Sequence, residues 1–223
     1  MRLRWAFTLF AIAVVVAAGA SACVKSQPAT ESPPSPTAAS AVIPSEPTAL
    51  PACDLPPIVA PTAPAIIPRY VELDPVTNLH MTGTPPKEPI DLATYRLKIS
   101  GKVNNPVELT FDQIRCLPKV QASPLLVCPG FFEDQANWAG TPIKGVLALA
   151  GIQEGATAVK FIADSDKYQA TLPLERALQE QNLIAYEWEG QPLPRYHGFP
   201  LRLVLPDMEG NQWVKWITEI VVK

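Results

Sequence analysis

Three side chains near the end of the chain could bind an anion. His197, one of only two histidines, precedes an apolar run that contains Arg202, and Lys215 follows that run. Arginine presents a planar fork that forms two parallel charge-assisted hydrogen bonds to phosphate, and lysine adds a compact positive charge. The pattern therefore predicts an anion site on a β-scaffold. For Arg202 and Lys215 the alternative is a solvated strand face, and for His197 it is a turn whose backbone satisfies the ring.

Cys128 is the candidate metal ligand. The apolar run 125–128 stops at a Pro-Gly pair, which predicts a buried strand that delivers the thiol to a turn beside a cleft. A thiolate is a soft ligand suited to a transition metal, and coordination deprotonates it. The alternatives are a structural cysteine or a disulfide with Cys116 or Cys53.

The first 22 residues have the order of an export signal. Two arginines precede an apolar run, and small residues follow it. The run is shorter than the ~20 residues of a membrane-spanning helix, which disfavours an uncleaved anchor. Cys23 comes next and resembles the cysteine of a bacterial lipoprotein box, so we predict that it is lipidated. Ordinary signal-peptidase cleavage is the alternative.

Residues 23–69 form a predicted disordered linker, because they are rich in Pro, Ala, Ser and Thr and lack aliphatic periodicity. With Cys23 acylated, three cysteines remain, Cys53, Cys116 and Cys128. An odd number in an oxidising compartment leaves one of them free or bound to a ligand. The sequence leaves open whether Cys53 and Cys116 pair.

Residues 70–223 have the usual size of one domain. A formal net charge of −3 and the lack of a Lys/Arg cluster argue against nucleic-acid binding. Thr110 and Gln113 have capping-box spacing, which predicts a short helix, and further helices are predicted over 144–151 and from residue 173. The predicted strands are 95–101, 125–128, 158–163, 168–172, 201–205 and 214–222. Because helices and strands do not alternate regularly, we predict an α+β domain.

The order of segments across 95–222 resembles the molybdopterin-binding domain shared by sulfite oxidases and periplasmic methionine sulfoxide reductases. The matching segments are 97–101, 109–114, 127–128, 138–143, 166–168 and 195–206. The resemblance implies the sulfite oxidase-type fold, with mixed short-strand sheets and a few short helices, and molybdopterin as cofactor. It implies that Cys128 binds molybdenum and that His197 and Arg202 contact the pyranopterin and its phosphate. Lys215 would close the phosphate site.

The same resemblance implies four further cofactor contacts. Trp138 and Gly140 follow the ligand loop, and Gly140 would let the backbone approach the cofactor closely. A packed tryptophan beside a turn glycine is the alternative. Asn78 and His80 resemble the family's N-terminal Asn and His around the cofactor. Tyr168 is expected only to shape a hairpin.

Three features differ from the family pattern. Sulfite-oxidising members carry arginines after the ligand cysteine, whereas 129–134 contains two phenylalanines and the carboxylates of Glu133 and Asp134, which would repel sulfite. The arginines at positions 2 and 4 are not the twin arginine of folded export, and a chain that crosses unfolded should arrive without molybdenum. No haem motif is present, so electrons would pass to a separate redox partner.

Two functions of different classes follow. The first is an exported, lipid-anchored, molybdopterin-dependent oxidoreductase that performs two-electron oxygen-atom transfer on a small substrate, at the periplasmic or other extracytoplasmic face of the membrane. The second is a cofactor-free surface lipoprotein that uses the same scaffold as a binding module, with Cys128 in a structural role.

Overall fold

The computed structural model describes residues 49–62, 68–164 and 168–223. The predicted signal peptide, Cys23, most of the predicted linker and positions 165–167 lie outside these ranges. All described residues belong to one compact unit, Pro44–Lys223. Within the described ranges, no helix has the length and apolar character needed to cross a membrane.

The described part of the chain contains twelve short strands and three short helices, the α+β class predicted from the sequence. The strands are β1 (Leu97–Gly101), β2 (Val107–Leu109), β3 (Val120–Ala122), β4 (Leu125–Cys128), β5 (Phe132–Gln135), β6 (Trp138–Pro142), β7 (Ala158–Ala163), β8 (Gln169–Pro173), β9 (Leu183–Trp188), β10 (Gln191–Pro192), β11 (Arg202–Val204) and β12 (Ile217–Val222). The helices are α1 (Phe111–Arg115), α2 (Ile143–Ala150) and α3 (Leu174–Ala177). Two 3-10 turns cover Arg195–His197 and Gly210–Gln212.

These strands form two larger sheets and one separate hairpin. The first sheet has the order β2-β1-β12-β7-β8, in which β1 and β12 run parallel and the other neighbours are antiparallel. The second has the order β10-β9-β6-β3, and β11 also pairs with β9. β4 and β5 form the hairpin. The pairing of β1 with β12 joins the start of the domain to its end.

Local sequence signals explain several of these elements. In β1, Leu97 and Ile99 are fully buried while the residue between them is exposed, because alternate side chains point to opposite faces of a strand. The capping box that begins α1 is present, with Thr110 Oγ1 accepting the Gln113 N–H at 3.2 Å. α2 ends where predicted, at Gly151, which has a φ of 65°.

Two strand predictions near the cavity differ from the structure. Residues 125–128 do form a strand, but Leu125 is 43% exposed because β4 pairs only with β5 and is not buried in a large sheet. The strand predicted over 214–222 begins only at Ile217, because Trp216 has a φ of 53°, outside the β region. Lys215 therefore precedes the strand and bridges to Arg202.

A disulfide attaches the N-terminal segment to the domain. Cys53 is bonded to Cys116, directly after α1. Nearby, the Arg115 guanidinium donates to the Pro56 carbonyl at 3.1 Å, and Ile58 packs against the core. The described part of the predicted linker is therefore held on the domain. Among the described cysteines, Cys128 is the free one.

Replacing both Cys53 and Cys116 by serine is expected to lower the free energy of unfolding by about 4 kcal/mol. The bridge spans 63 residues, and the unfolded chain regains the entropy of that loop when the bridge is absent. Chemical denaturation followed by circular dichroism measures the change, with reduced wild-type protein as the control that should match the variant. A loss below about 1 kcal/mol would contradict this account.

Candidate functional site

A cavity of about 260 Å³ lies between the N-terminal segment 70–84, the β4–β5 hairpin and the residues around β11 and β12. Its volume is close to the lower end of the range for ligand pockets. The cavity brings together six of the eight residues predicted to bind a metal or cofactor. They are His80, Cys128, Trp138, His197, Arg202 and Lys215.

Arg202 lies on β11 and is only 2% exposed, so the surface-arginine alternative is wrong. Its guanidinium packs 4.3 Å from the ring centroid of Trp138, and one terminal N–H donates to the His197 carbonyl at 3.0 Å. Nε has no hydrogen-bond partner among the described residues. Burial lowers the pKa of Arg202 to about 9. Gly198 makes this packing possible, because a Cβ there would lie 2.9 Å from the Arg202 Cβ.

Lys215 is a second buried cation beside Arg202. Its ammonium donates to the carbonyls of Thr82 at 2.8 Å and Tyr196 at 3.3 Å. Burial lowers the pKa of Lys215 well below its usual value, and the charge of Arg202 lowers it further. Neither cation forms a salt bridge with a carboxylate of the described ranges. Because a buried charge needs a counterion, this wall of the cavity suits an anion.

His197 is buried and bonded to the N-terminal segment. Its Nε2 lies 3.0 Å from both Asp74 Oδ2 and Thr77 Oγ1. Burial, then the charge of Lys215, lowers the pKa of His197 below its usual value. Burial raises the pKa of Asp74, but hydrogen bonds from the Val76 N–H, His197 and Thr77 outweigh it and lower that pKa overall. A neutral imidazole that donates through Nε2 leaves Nδ1 as an acceptor.

Cys128 ends β4, and its half-buried thiol lines the cavity. Burial raises the pKa of Cys128, and the carboxylates of Asp134 and Glu209 raise it further. The thiolate therefore needs a cation next to it. No group of three or more His, Cys, Asp or Glu side chains in the described ranges could hold a metal ion. A metal bound to Cys128 would have to take its other ligands from a cofactor.

Gly140 and Asn78 lie away from the cavity walls. A Cβ on Gly140 would lie 2.1 Å from the Ile184 carbonyl oxygen, so β9, and not a cofactor, occupies the space beside this glycine. Asn78 is exposed in a turn with a φ of 57°, and its N–H donates to the Asp74 carbonyl at 2.8 Å.

Sequence reasoning missed several residues of the site. Asp74 and Thr77 hold His197, and the buried Asp134 hydrogen-bonds to His80. Tyr168, expected only to shape a hairpin, also lines the cavity and donates to the Asn211 carbonyl. Asp74 lies 123 residues from its partner, and no local pattern marks such a pair.

Comparison with known proteins decides the family. Residues 82–223 match the sequence model of the oxidoreductase molybdopterin binding domain. The chain belongs to this family. The match to the family model begins at Thr82, so it does not include His80, which lines the cavity, or Asp74 and Thr77, which hold His197.

The curated relatives of this molybdopterin-binding domain are longer than the region that matches this chain. Rat mitochondrial sulfite oxidase is 34% identical over 185 residues, which cover 69% of this chain and 33% of the relative. A putative protein-methionine-sulfoxide reductase subunit from Azospira oryzae is 30% identical over 133 residues, 60% of this chain and 50% of the relative. The chain therefore spans only a third to a half of these curated relatives.

A solved structure supports the predicted fold. The crystal structure of the sulfane dehydrogenase SoxCD from Paracoccus pantotrophus superposes with a TM-score of 0.58 at 22% identity, covering 74% of this chain and 50% of that chain. Together with the family match, this similarity confirms the sulfite oxidase-type α+β fold and molybdopterin as the cofactor of this domain type.

The cavity of this molybdopterin-binding domain fits such a cofactor. The Cys128 thiol would hold molybdenum, and Arg202 and Lys215 would hold the phosphate. His197 would accept a hydrogen bond at Nδ1, and Trp138 would form a wall. The unpartnered Arg202 Nε is the observation that best supports this fit, because it offers a buried donor to an anion. The individual roles stay predictions.

The buried His197 predicts that acid destabilises the domain. The folded domain binds a proton at His197 less readily than the unfolded chain, in which the pKa is about 6.5. The contribution of the neutral His197 to stability is therefore fully present above about pH 6.5. Below that pH the free energy of unfolding falls by up to about 1.4 kcal/mol per pH unit. Asp74 adds acid sensitivity only below its own unfolded pKa of about 3.9.

Chemical denaturation at a series of pH values between about 5 and 7.5 measures this slope. His197→Gln should flatten it, because glutamine does not titrate in this range. A slope that stays the same in the variant would assign the acid sensitivity to other groups.

Proposed function

We propose that this protein is an exported, lipid-anchored, molybdopterin-dependent oxidoreductase that performs two-electron oxygen-atom transfer on a small substrate. One observation carries the proposal: the free thiol of Cys128 lines the same cavity as the two buried cations Arg202 and Lys215. When bound, molybdopterin supplies a molybdenum centre that carries out the redox chemistry. The residues of this chain bind it, orient it and exclude water.

The substrate that suits this cavity is small and carries little negative charge. Phe132 and Asp134 line the cavity on the side of Cys128, and Asp134 has its carboxylate 2.6 Å from His80. The two cations donate to the carbonyls of Thr82 and His197. A sulfite dianion would meet the Asp134 carboxylate, whereas a neutral sulfoxide would not. A small sulfoxide is therefore our first candidate substrate.

The Cys53–Cys116 disulfide supports an extracytoplasmic location, because disulfides persist in oxidising compartments. Acyl chains on Cys23 would anchor the chain at the membrane. Cys23 and Cys53 are thirty positions apart, and a chain of that length would reach about 90 Å if it were extended as polyproline. A domain on such a tether can meet a separate redox partner in the cell envelope, which would exchange electrons with the site.

Metal and pterin analysis of the native protein tests this proposal. The full chain is released from membranes of its native compartment and its molybdenum is measured per chain, together with the pterin fluorescence after denaturation. We expect close to one molybdenum and one pterin. A ratio near zero with no pterin would reject the oxidoreductase and leave the cofactor-free binding module. Cys23→Ser should move the chain from the membrane fraction to the soluble fraction.

A further inference from the structure

We propose that His80 is the proton-transfer residue of the cavity and that Asp134 is its positioning residue. This inference rests on the proposed function, because it concerns the protons that an oxygen-atom transfer consumes or releases. Its role here is argued from the contacts that it makes.

The Asp134 carboxylate holds His80 at two points. His80 Nδ1 lies 2.6 Å from Asp134 Oδ1, and the His80 backbone N–H donates to Asp134 Oδ2 at 2.8 Å. Both oxygens of one carboxylate therefore bind one residue. The Asp134 side chain is only 7% exposed, so these bonds are shielded from water. This arrangement fixes both the main chain and the ring of His80.

Phe132 holds the plane of the imidazole. Its ring stacks on the His80 ring with a centroid separation of 4.4 Å and an interplanar angle of 14°. Phe132 and Asp134 are two positions apart on β5, so their side chains point to the same face of the strand. One short strand therefore supplies both contacts. Phe132 also pairs with Cys128 across the β4–β5 hairpin. His80 is thus attached to the strand pair that carries the predicted metal ligand.

The tautomer follows from these contacts. An ionised carboxylate only accepts hydrogen bonds, so Nδ1 carries a proton and donates a hydrogen bond to Asp134. Nε2 then presents a lone pair, and it has no hydrogen-bond partner among the described residues. A base whose second nitrogen is oriented by a carboxylate is the arrangement that general acid–base catalysis requires.

His80 is the histidine of the cavity that solvent reaches. Its side chain is 26% exposed, whereas His197 is 1% exposed and bonded to Asp74. The Tyr168 hydroxyl donates to a carbonyl, and burial raises its pKa. The other charged or titratable groups near His80 around the cavity are Tyr70, Cys128, Asp134, Arg202, Glu209 and Lys215.

The proton balance of sulfoxide reduction requires a group that supplies protons in the cavity. Reduction of a sulfoxide breaks the S–O bond, takes up two electrons from the external redox partner and two protons, and releases a thioether and water. His80 would pass these protons one at a time from solvent to the departing oxygen, and the reverse reaction would return them. The Asp134 carboxylate stabilises the positive imidazole that forms in between.

Nuclear magnetic resonance of the cofactor-free chain provides the first test. The protein has two histidines, so His80→Gln identifies the signals of each ring. We expect the Nδ1–H tautomer for His80, with a strongly deshielded proton from the 2.6 Å bond, and a mixture of tautomers in Asp134→Asn. The Nε2–H tautomer in the wild type would overturn the inference.

Kinetics of the loaded enzyme provide the second test, with dimethyl sulfoxide as probe and a reduced viologen as electron donor. His80→Gln keeps a hydrogen-bond donor to Asp134 but cannot take up and release a proton, so we expect kcat to fall about 100-fold while KM and molybdenum content stay unchanged. Asp134→Asn should lower kcat about 10-fold. Added imidazole should restore part of the kcat of His80→Gln. Glu154→Gln, which changes an exposed carboxylate that does not line the cavity, is the control and should match wild type.

The two proposals fail in different ways. Wild-type protein without molybdenum and pterin would reject the oxidoreductase itself. A His80→Gln enzyme that keeps both its cofactor and its full kcat would reject only the role of His80. Loss of the cofactor in that variant would also overturn the inference, because His80 would then be a cofactor contact.

Discussion

Replacing Cys128 by serine is expected to remove molybdenum from the protein and to lower the rate of oxygen-atom transfer at least about 1,000-fold, a barrier increase of about 4 kcal/mol. A hydroxyl is a poor replacement for a soft thiolate, and no cluster of His, Cys, Asp or Glu in the described ranges can substitute for it. Metal analysis and turnover of dimethyl sulfoxide measure the two effects.

The fold should tolerate this change. Cys128 is only half-buried at the end of a two-stranded hairpin, so the free energy of unfolding of the cofactor-free variant should stay within about 1 kcal/mol of wild type. Val127→Ala is the matched control, because Val127 precedes Cys128 on β4 and points to the other face. The ligand assignment would be wrong if Cys128→Ser kept its molybdenum.

Arg202→Met is expected to change stability and cofactor binding in opposite directions. In the cofactor-free chain, Arg202 is a buried cation with an unpartnered Nε and a second buried cation, Lys215, beside it. Methionine has a similar volume and needs no counterion, so the free energy of unfolding should rise by about 1–2 kcal/mol. The gain is limited because the contact with the Trp138 ring is lost.

The cofactor should bind Arg202→Met about 30-fold to 150-fold more weakly, because one charge-assisted phosphate contact contributes about 2–3 kcal/mol. Thermal denaturation without cofactor and the molybdenum retained after dialysis measure the two effects. Arg69→Met, which changes an exposed arginine, should alter neither. A variant that is less stable without cofactor and yet retains molybdenum would show that Arg202 has a structural role.

Several elements could be predicted because their signals are local. Each of these signals depends on residues only a few positions apart in the sequence. They are the alternation in β1, the capping box of α1 and the glycine that ends α2. Six of the eight residues predicted to bind a metal or cofactor also line one cavity. The order of the family segments grouped these residues although they lie far apart in sequence.

Contacts between distant segments could not be predicted in this way. Whether Arg202 would be buried depended on the packing of both faces of β11, which alternation in one strand does not determine. Gly140 was predicted to face a cofactor, but its neighbour is β9, more than forty residues later in the chain. The conformation of Trp216, which places Lys215 at the cavity, has no signature in the surrounding residues.

The amino-acid sequence by itself determined several of the short elements and the domain family, and it predicted which residues would bind a metal and a phosphate. Only the tertiary structure decided which carboxylates hold the two histidines, because Asp134 lies 54 residues from His80 and Asp74 lies 123 residues from His197. Hydrogen-bonded pairs of this kind form where the packing of separate sheets and hairpins excludes water, and this packing depends on the whole chain.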